Sequence, residues 1–314
     1  MKVEKVYLYE NRKDVSLTCY IWDDSREMLN GKARPAVLIC PGGAYLGCSD
    51  REGEPIALRF ASMGYHAFVL RYSVYDEGGA FVLEDPAMLG SLLPKKICQY
   101  PNPMIEVGMA MKFIHEMSDS WLVDTKRIAV CGFSAGAHNA AMFSTQWQTK
   151  IISDALGVDA EYVRPAACIL GYTLSDYTFL SEYLKGELSP ELQLLYAGYN
   201  ISYTGTAVPT GDILDKISPA KNVSSFTPPT FLWATSEDNL VPVQNSIRMA
   251  HALADQKVPF EIHIFEKGPH GMALATQASA GHAGDMNSDA AKWVDLCDKW
   301  LEKRFAFIEN AKDE

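Results

Sequence analysis

No apolar run in this sequence approaches the roughly 18 residues that a bilayer-crossing helix requires, so a membrane-spanning role is not expected. The opening segment, Met1-Lys2-Val3-Glu4-Lys5-Val6-Tyr7-Leu8, interleaves charges with apolar side chains and has no apolar core of signal-peptide length. Linkers are missing too: no stretch of Ser, Gly or Pro divides the 314 residues, and there is no internal repeat. Basic side chains are in deficit, 28 Lys and Arg against 39 Asp and Glu, for a formal net charge of −11. A surface of that sign repels phosphate backbones, so nucleic acid is not an expected partner. Cysteine is sparse and odd in number: seven, at positions 19, 40, 48, 98, 131, 168 and 297. Several sit in apolar runs such as Val37-Leu38-Ile39-Cys40, which predicts reduced, buried thiols in a cytoplasmic protein. No pair has metal-ligand spacing, so neither a metal nor another cofactor is expected.

What is present is ordinary globular composition, 48% hydrophobic and 21% charged. Val3 to Tyr9 and Ser16 to Trp22 alternate as a pair of edge strands. The short, wholly apolar run at 36–40 reads as a strand covered on both faces, and 65–70, 128–131, 166–170, 230–234 and 260–265 read as further strands. Helical spacing intervenes at 53–63, 104–117, 243–255 and 289–303, with another helix directly after 136. Strands alternating with helices predict an α/β fold with a mostly parallel central sheet and helices on both faces. Two segments, 74–100 and 172–223, break the alternation. We therefore expect one domain over 1–314 carrying an insertion at about 172–223 that acts as a cap. Replacing 176–215 with a short linker is expected to broaden chain-length tolerance more than it lowers activity.

The strongest chemical signal is Gly132-Phe133-Ser134-Ala135-Gly136, a Gly-x-Ser-x-Gly pattern between a predicted strand and a predicted helix. Such a turn holds a serine in a strained conformation, and flanking glycines avoid side-chain clashes. A serine hydroxyl needs a base to act as a nucleophile. Of seven histidines, His66 and His263 fall within strands, and His115, His138 and His251 within helices. His270, in Gly268-Pro269-His270-Gly271, lies on a loop past the last predicted strand, where catalytic groups of open α/β sheets collect. His282 is the runner-up. Asp238 follows the 230–234 strand and is the candidate that orients the imidazole, with Glu237 as its neighbour alternative. The chain order Ser, Asp, His is that of α/β-hydrolases. Backbone N–H groups of Gly43 or Ala44, with that of Ala135, are placed to receive an oxyanion. A neutral imidazole must take the proton, so the rate should fall in acid with an apparent pKa of roughly 6 to 7.

Together with Pro41-Gly42-Gly43-Ala44-Tyr45, Leu70-Arg71-Tyr72 and Asp238-Asn239-Leu240-Val241-Pro242, these motifs resemble the α/β-hydrolase superfamily. Within it they resemble bacterial esterases of the acetyl-esterase and acetylxylan-esterase kind. Pro41 and Ala44 depart from the His-Gly-Gly-Gly loop of the hormone-sensitive-lipase group. The resemblance implies Ser134, Asp238 and His270 as a triad and short acyl esters as substrates, including esters of sugars or oligosaccharides. Tyr45 and Tyr72 are candidate substrate contacts. Aromatics at 72, 75, 81, 172, 177, 179 and 183 could stack on a sugar ring or pack within a lid. Competing expectations are a serine peptidase or amidase on the same fold, and an inactive hydrolase fold used for binding. A homo-oligomer is compatible with all of them.

Overall fold

The computed structural model describes residues 1–77, 89, 91–186 and 188–306. Eight strands form one sheet: β1 Lys2–Tyr7, β2 Ser16–Ile21, β3 Arg34–Cys40, β4 His66–Arg71, β5 Val123–Phe133, β6 Ala167–Gly171, β7 Thr230–Thr235 and β8 Phe260–Phe265. Their order is β1-β2-β4-β3-β5-β6-β7-β8. The first two pairings are antiparallel and the other five parallel, so the sheet is mostly parallel as expected. The expected edge pair is half right. β1 is an edge, but β2 pairs on its other side with β4 and is buried along most of its length.

Strand period sorts the core into two layers. In β3, Ala36, Leu38 and Cys40 face one cluster while Val37 and Ile39 face the other. The first layer packs under helices Asn102–Glu116 and Ala135–Gln146. The second packs under helices Glu54–Ser62 and Trp293–Phe305, where Trp233 stacks on Trp293 with ring centroids 5.0 Å apart. Both faces of the central strands are thus dry, which is why they read as unbroken apolar runs rather than alternating ones.

Among the described residues between β6 and β7 lie the helices Tyr177–Tyr183, Pro190–Thr204, Asp212–Lys216 and Pro219–Asn222. The side chains of Asp176 and Ser189 cap the first two by accepting from Phe179 N and Leu192 N. Helix 190–204 shows no clean amphipathic period because Tyr196, Tyr199, Asn200, Ile201, Ser202 and Tyr203 are all buried, covering several faces at once. This insertion is built into the core. The Ser202 hydroxyl donates to the Tyr45 carbonyl at 2.7 Å, and the Tyr203 ring stacks on Tyr45 at 4.2 Å.

Candidate active site

The site grows from the carboxyl ends of the parallel strands, the edge where strand-to-helix loops converge. Ser134 is the single residue between β5 and helix 135–146, and its backbone sits at φ 53°, ψ −123°. Its N–H donates to the Gly171 carbonyl at 3.0 Å, which pins the strained residue to the end of β6. The flanking glycines are sterically required. A Cβ on Gly132 would lie 2.2 Å from the Gly136 carbonyl oxygen, and one on Gly136 would lie 2.0 Å from the Cys40 carbonyl oxygen.

Three side chains expected to act together do meet. His270 Nε2 lies 2.8 Å from Ser134 Oγ, and His270 Nδ1 lies 2.7 Å from Asp238 Oδ2. Asp238 divides its two oxygens between separate tasks. Oδ1 accepts from Leu240 N at 3.0 Å and Val241 N at 2.9 Å, which fixes the loop, while Oδ2 faces the imidazole. His282 and Glu237, the alternatives, lie elsewhere. The His282 side chain is exposed and pairs with Asp285 at 3.5 Å, and Glu237 is exposed and accepts from Gly268 N. Of the other histidines, His66 and His138 are buried and bonded to backbone carbonyls, and His263 pairs with Glu261.

Burial of His270 disfavours its charged form, but the Asp238 carboxylate, its hydrogen bond and the nearby Glu52 outweigh that and raise the pKa above the ordinary value. A raised pKa keeps the imidazole protonated to higher pH, so the base form appears later in a titration. The acid limb of kcat/KM should therefore have its midpoint above about 6.5, the unperturbed imidazole value. A pH–rate profile on a p-nitrophenyl ester checks this, and a midpoint below about 6.5 contradicts it.

The loop after β3 takes an uncommon path: Gly43, Ala44 and Tyr45 have φ of 129°, 56° and 54°. Gly43 must be glycine, since a Cβ there would meet the Gly47 carbonyl oxygen at 2.3 Å. The turn brings Ala44 to the same small cavity as Ser134 and Ala135, with Leu174, Leu195, Tyr196, Tyr199, Leu240 and Val241 as the remaining walls. Gly43 does not line that cavity, and its positive φ lets the loop turn.

Tyr45 and Tyr72 were expected to touch substrate, and the structure places them otherwise. Both are fully buried. Tyr45 packs against Tyr203 and hydrogen-bonds His138 Nδ1 at 2.8 Å, while the Tyr72 hydroxyl donates to the Pro41 carbonyl at 2.6 Å. They form the underside of the loop, because a left-handed turn of three residues needs support from beneath. Tyr172 and Tyr177 are buried as well, Phe179 and Tyr183 only partly, and Phe81 lies outside the described residues. The wall residues were missed, although Leu240 and Val241 adjoin Asp238 and the i, i+3 spacing of Tyr196 and Tyr199 marks one helical face.

Among solved structures, a carboxylesterase from Lactobacillus plantarum is 26% identical at TM-score 0.78, covering 99% of this chain and 100% of that one. An acetyl ester-xyloside bifunctional hydrolase from Caldicellulosiruptor lactoaceticus is 30% identical at TM-score 0.73, covering 98% and 97%. Fold and site thus define the class, a carboxylic-ester hydrolase of the α/β-hydrolase fold. The BD-FAE family pattern matches residues 95–253, half of the sequence, and the chain belongs to that family. A further relative is endo-1,4-beta-xylanase B of Butyrivibrio fibrisolvens, 30% identical over 249 residues. That alignment takes in 77% of this chain but spans only 33% of the xylanase.

Proposed function

We propose that the protein removes short acyl groups, acetyl above all, from hydroxyls of sugars or oligosaccharides through an acyl-enzyme on Ser134. The observation that carries this is the cavity beside Ser134, about 40 Å³ and mostly apolar, bounded by Leu195, Tyr196 and Tyr199. So small and apolar a space favours a short acyl chain over a long one. In this reading His270 takes the Ser134 proton as the hydroxyl attacks the ester carbonyl. The N–H groups of Ala44 and Ala135 receive the developing oxyanion, and Asp238 stabilises the imidazolium. His270 then returns the proton to the departing sugar oxygen, and water repeats the sequence to release the acid. The likeness to a xylanase and to an acetyl ester-xyloside hydrolase favours a xylose-containing alcohol.

The same proposal includes a reducing, cytoplasmic setting, supported by seven buried and unpaired cysteines. Among the described residues no helix is long and apolar enough to cross a membrane.

The experiment is a series of p-nitrophenyl esters from acetyl to octanoyl, run beside acetylated xylo-oligosaccharides. kcat/KM should fall stepwise with chain length, each unaccommodated methylene costing about 1 to 3 kcal/mol. Leu195→Ala and Tyr199→Ala should each flatten that decline. Octanoyl ester turned over as fast as acetyl would overturn the acyl assignment, and indifference to acetylated sugars would overturn the alcohol assignment.

A further inference from the structure

Behind the site lies a buried carboxylate that the mechanism above does not use. Glu52 ends the short turn Asp50–Glu52, seven residues beyond Tyr45, and is 4% exposed. Both of its oxygens accept. Gly42 N–H donates to Oε2 at 2.7 Å, and the Tyr172 hydroxyl donates to Oε1 at 2.6 Å. That hydroxyl in turn accepts from Ala273 N at 3.1 Å, three residues past His270, and the Tyr172 ring stands edge-on to the His270 ring at 4.9 Å. One side chain therefore joins the oxyanion loop to the loop that bears the base.

Burial pushes the Glu52 carboxyl above its ordinary range, and the Tyr172 hydroxyl, His270 and the Gly42 N–H work against that rise, so its charge is held by these neighbours. The one cation on its own turn, Arg51, is engaged by Asp285 at 3.0 Å and by the Ser279 carbonyl. The other titratable groups that face Glu52 are Tyr172 after β6, Tyr72 after β4, Cys131 in β5 and His270 itself. His270 is faced by Asp238, Glu52 and the neutral Ser134 and Tyr172. Of these groups, only His270 gains a positive charge during the reaction.

We propose that Glu52 is a positioning residue. Its carboxylate, bridging the Gly42 N–H and the Tyr172 hydroxyl, holds the 42–44 loop in place and sets a second negative charge behind His270. Only the kinetic part of this inference rests on the esterase reading. The electrostatic part concerns His270 alone.

The test follows the His270 imidazole by NMR titration in wild type, Glu52→Gln and Glu52→Asp, alongside kcat and KM on p-nitrophenyl acetate. Glu52→Gln keeps an acceptor for Gly42 N–H but loses the charge, so the His270 titration should move to lower pH. Glu52→Asp keeps the charge but not the reach, so its titration should stay near wild type. Both should lower kcat by on the order of 10²-fold, Glu52→Asp through misplacement of the loop and Glu52→Gln through loss of the charge behind the imidazolium, with KM changed by less than about 3-fold. A His270 titration that does not move in Glu52→Gln would overturn the proposal, even if the melting temperature drops, because a purely structural carboxylate predicts that pattern. Wild-type kcat in both variants would overturn it equally. If the wild-type protein hydrolysed no ester, the titration would still decide the charge, and the esterase reading alone would fall.

Discussion

Ser134→Ala should lower kcat on p-nitrophenyl acetate by on the order of 10⁴ or more while leaving the thermal unfolding midpoint close to wild type. In the proposed mechanism the Ser134 oxygen carries the covalent step, since Ser134 Oγ lies 2.8 Å from His270 Nε2. His270→Ala should cost a similar factor, because nucleophile and base act as a unit and removing either leaves only the contributions of oxyanion stabilisation and binding. Labelling with a fluorophosphonate probe gives a second readout that needs no natural substrate. Wild type should be modified at Ser134 and both variants should resist. Near-wild-type turnover in purified Ser134→Ala would remove the hydrolase mechanism altogether. His282→Ala, altering an exposed side chain paired with Asp285, should be close to neutral.

Excising residues 176–215 for a short linker should abolish the soluble folded protein, and this reverses what the sequence led us to expect. A cap resting on the sheet edge could be removed at little cost. This one cannot, because Tyr177, Leu180, Tyr196, Tyr199 and Tyr203 are buried side chains of the main core. At roughly 1.5 to 3 kcal/mol for each large apolar side chain withdrawn from water, these five are worth about 10 kcal/mol, comparable to the whole net stability of a domain. The deletion also removes the Ser202 bond to the Tyr45 carbonyl and exposes Tyr45, which underlies the turn at Ala44. Expression followed by circular dichroism and thermal melting decides the matter. A shortened protein with a cooperative melt near wild type would show that the insertion is dispensable after all.

Much of the scaffold could be read in advance because its signals are local. All eight strands fall where apolar runs or alternation placed them, and Ser134, Asp238 and His270 stand at strand ends that the pattern of elements marked. The walls of the site were illegible for a different reason. Tyr45 and Tyr72 carry hydroxyls and adjoin the oxyanion loop, so they look like substrate contacts. Whether a tyrosine points up into a site or down into the core depends on tertiary neighbours such as Tyr203 and Pro41, which are distant in sequence. Helix 190–204 was hidden because burial on several faces erases the amphipathic period by which helices are usually recognised. Glu52 was invisible for a related reason. Its partners, Gly42 and Tyr172, are 10 and 120 residues away.

The backbone bonds at the sheet edge bear on how such a site can change. Ser134 N donates to the Gly171 carbonyl, Tyr172 N to Trp233, and Ser236 N to Phe265, so the ends of β5 to β8 are rungs of one ladder. Ser134, Tyr172 and the start of the Asp238 loop are therefore spaced by the sheet itself. Leu195 and Tyr199 line the cavity and come from the helical insertion. Selectivity can thus drift through single exchanges at those two positions while the spacing of the reacting atoms is inherited unchanged. For anyone redesigning this protein, point substitution on the inner face of helix 190–204 is the open route, and swapping the whole insertion is the closed one.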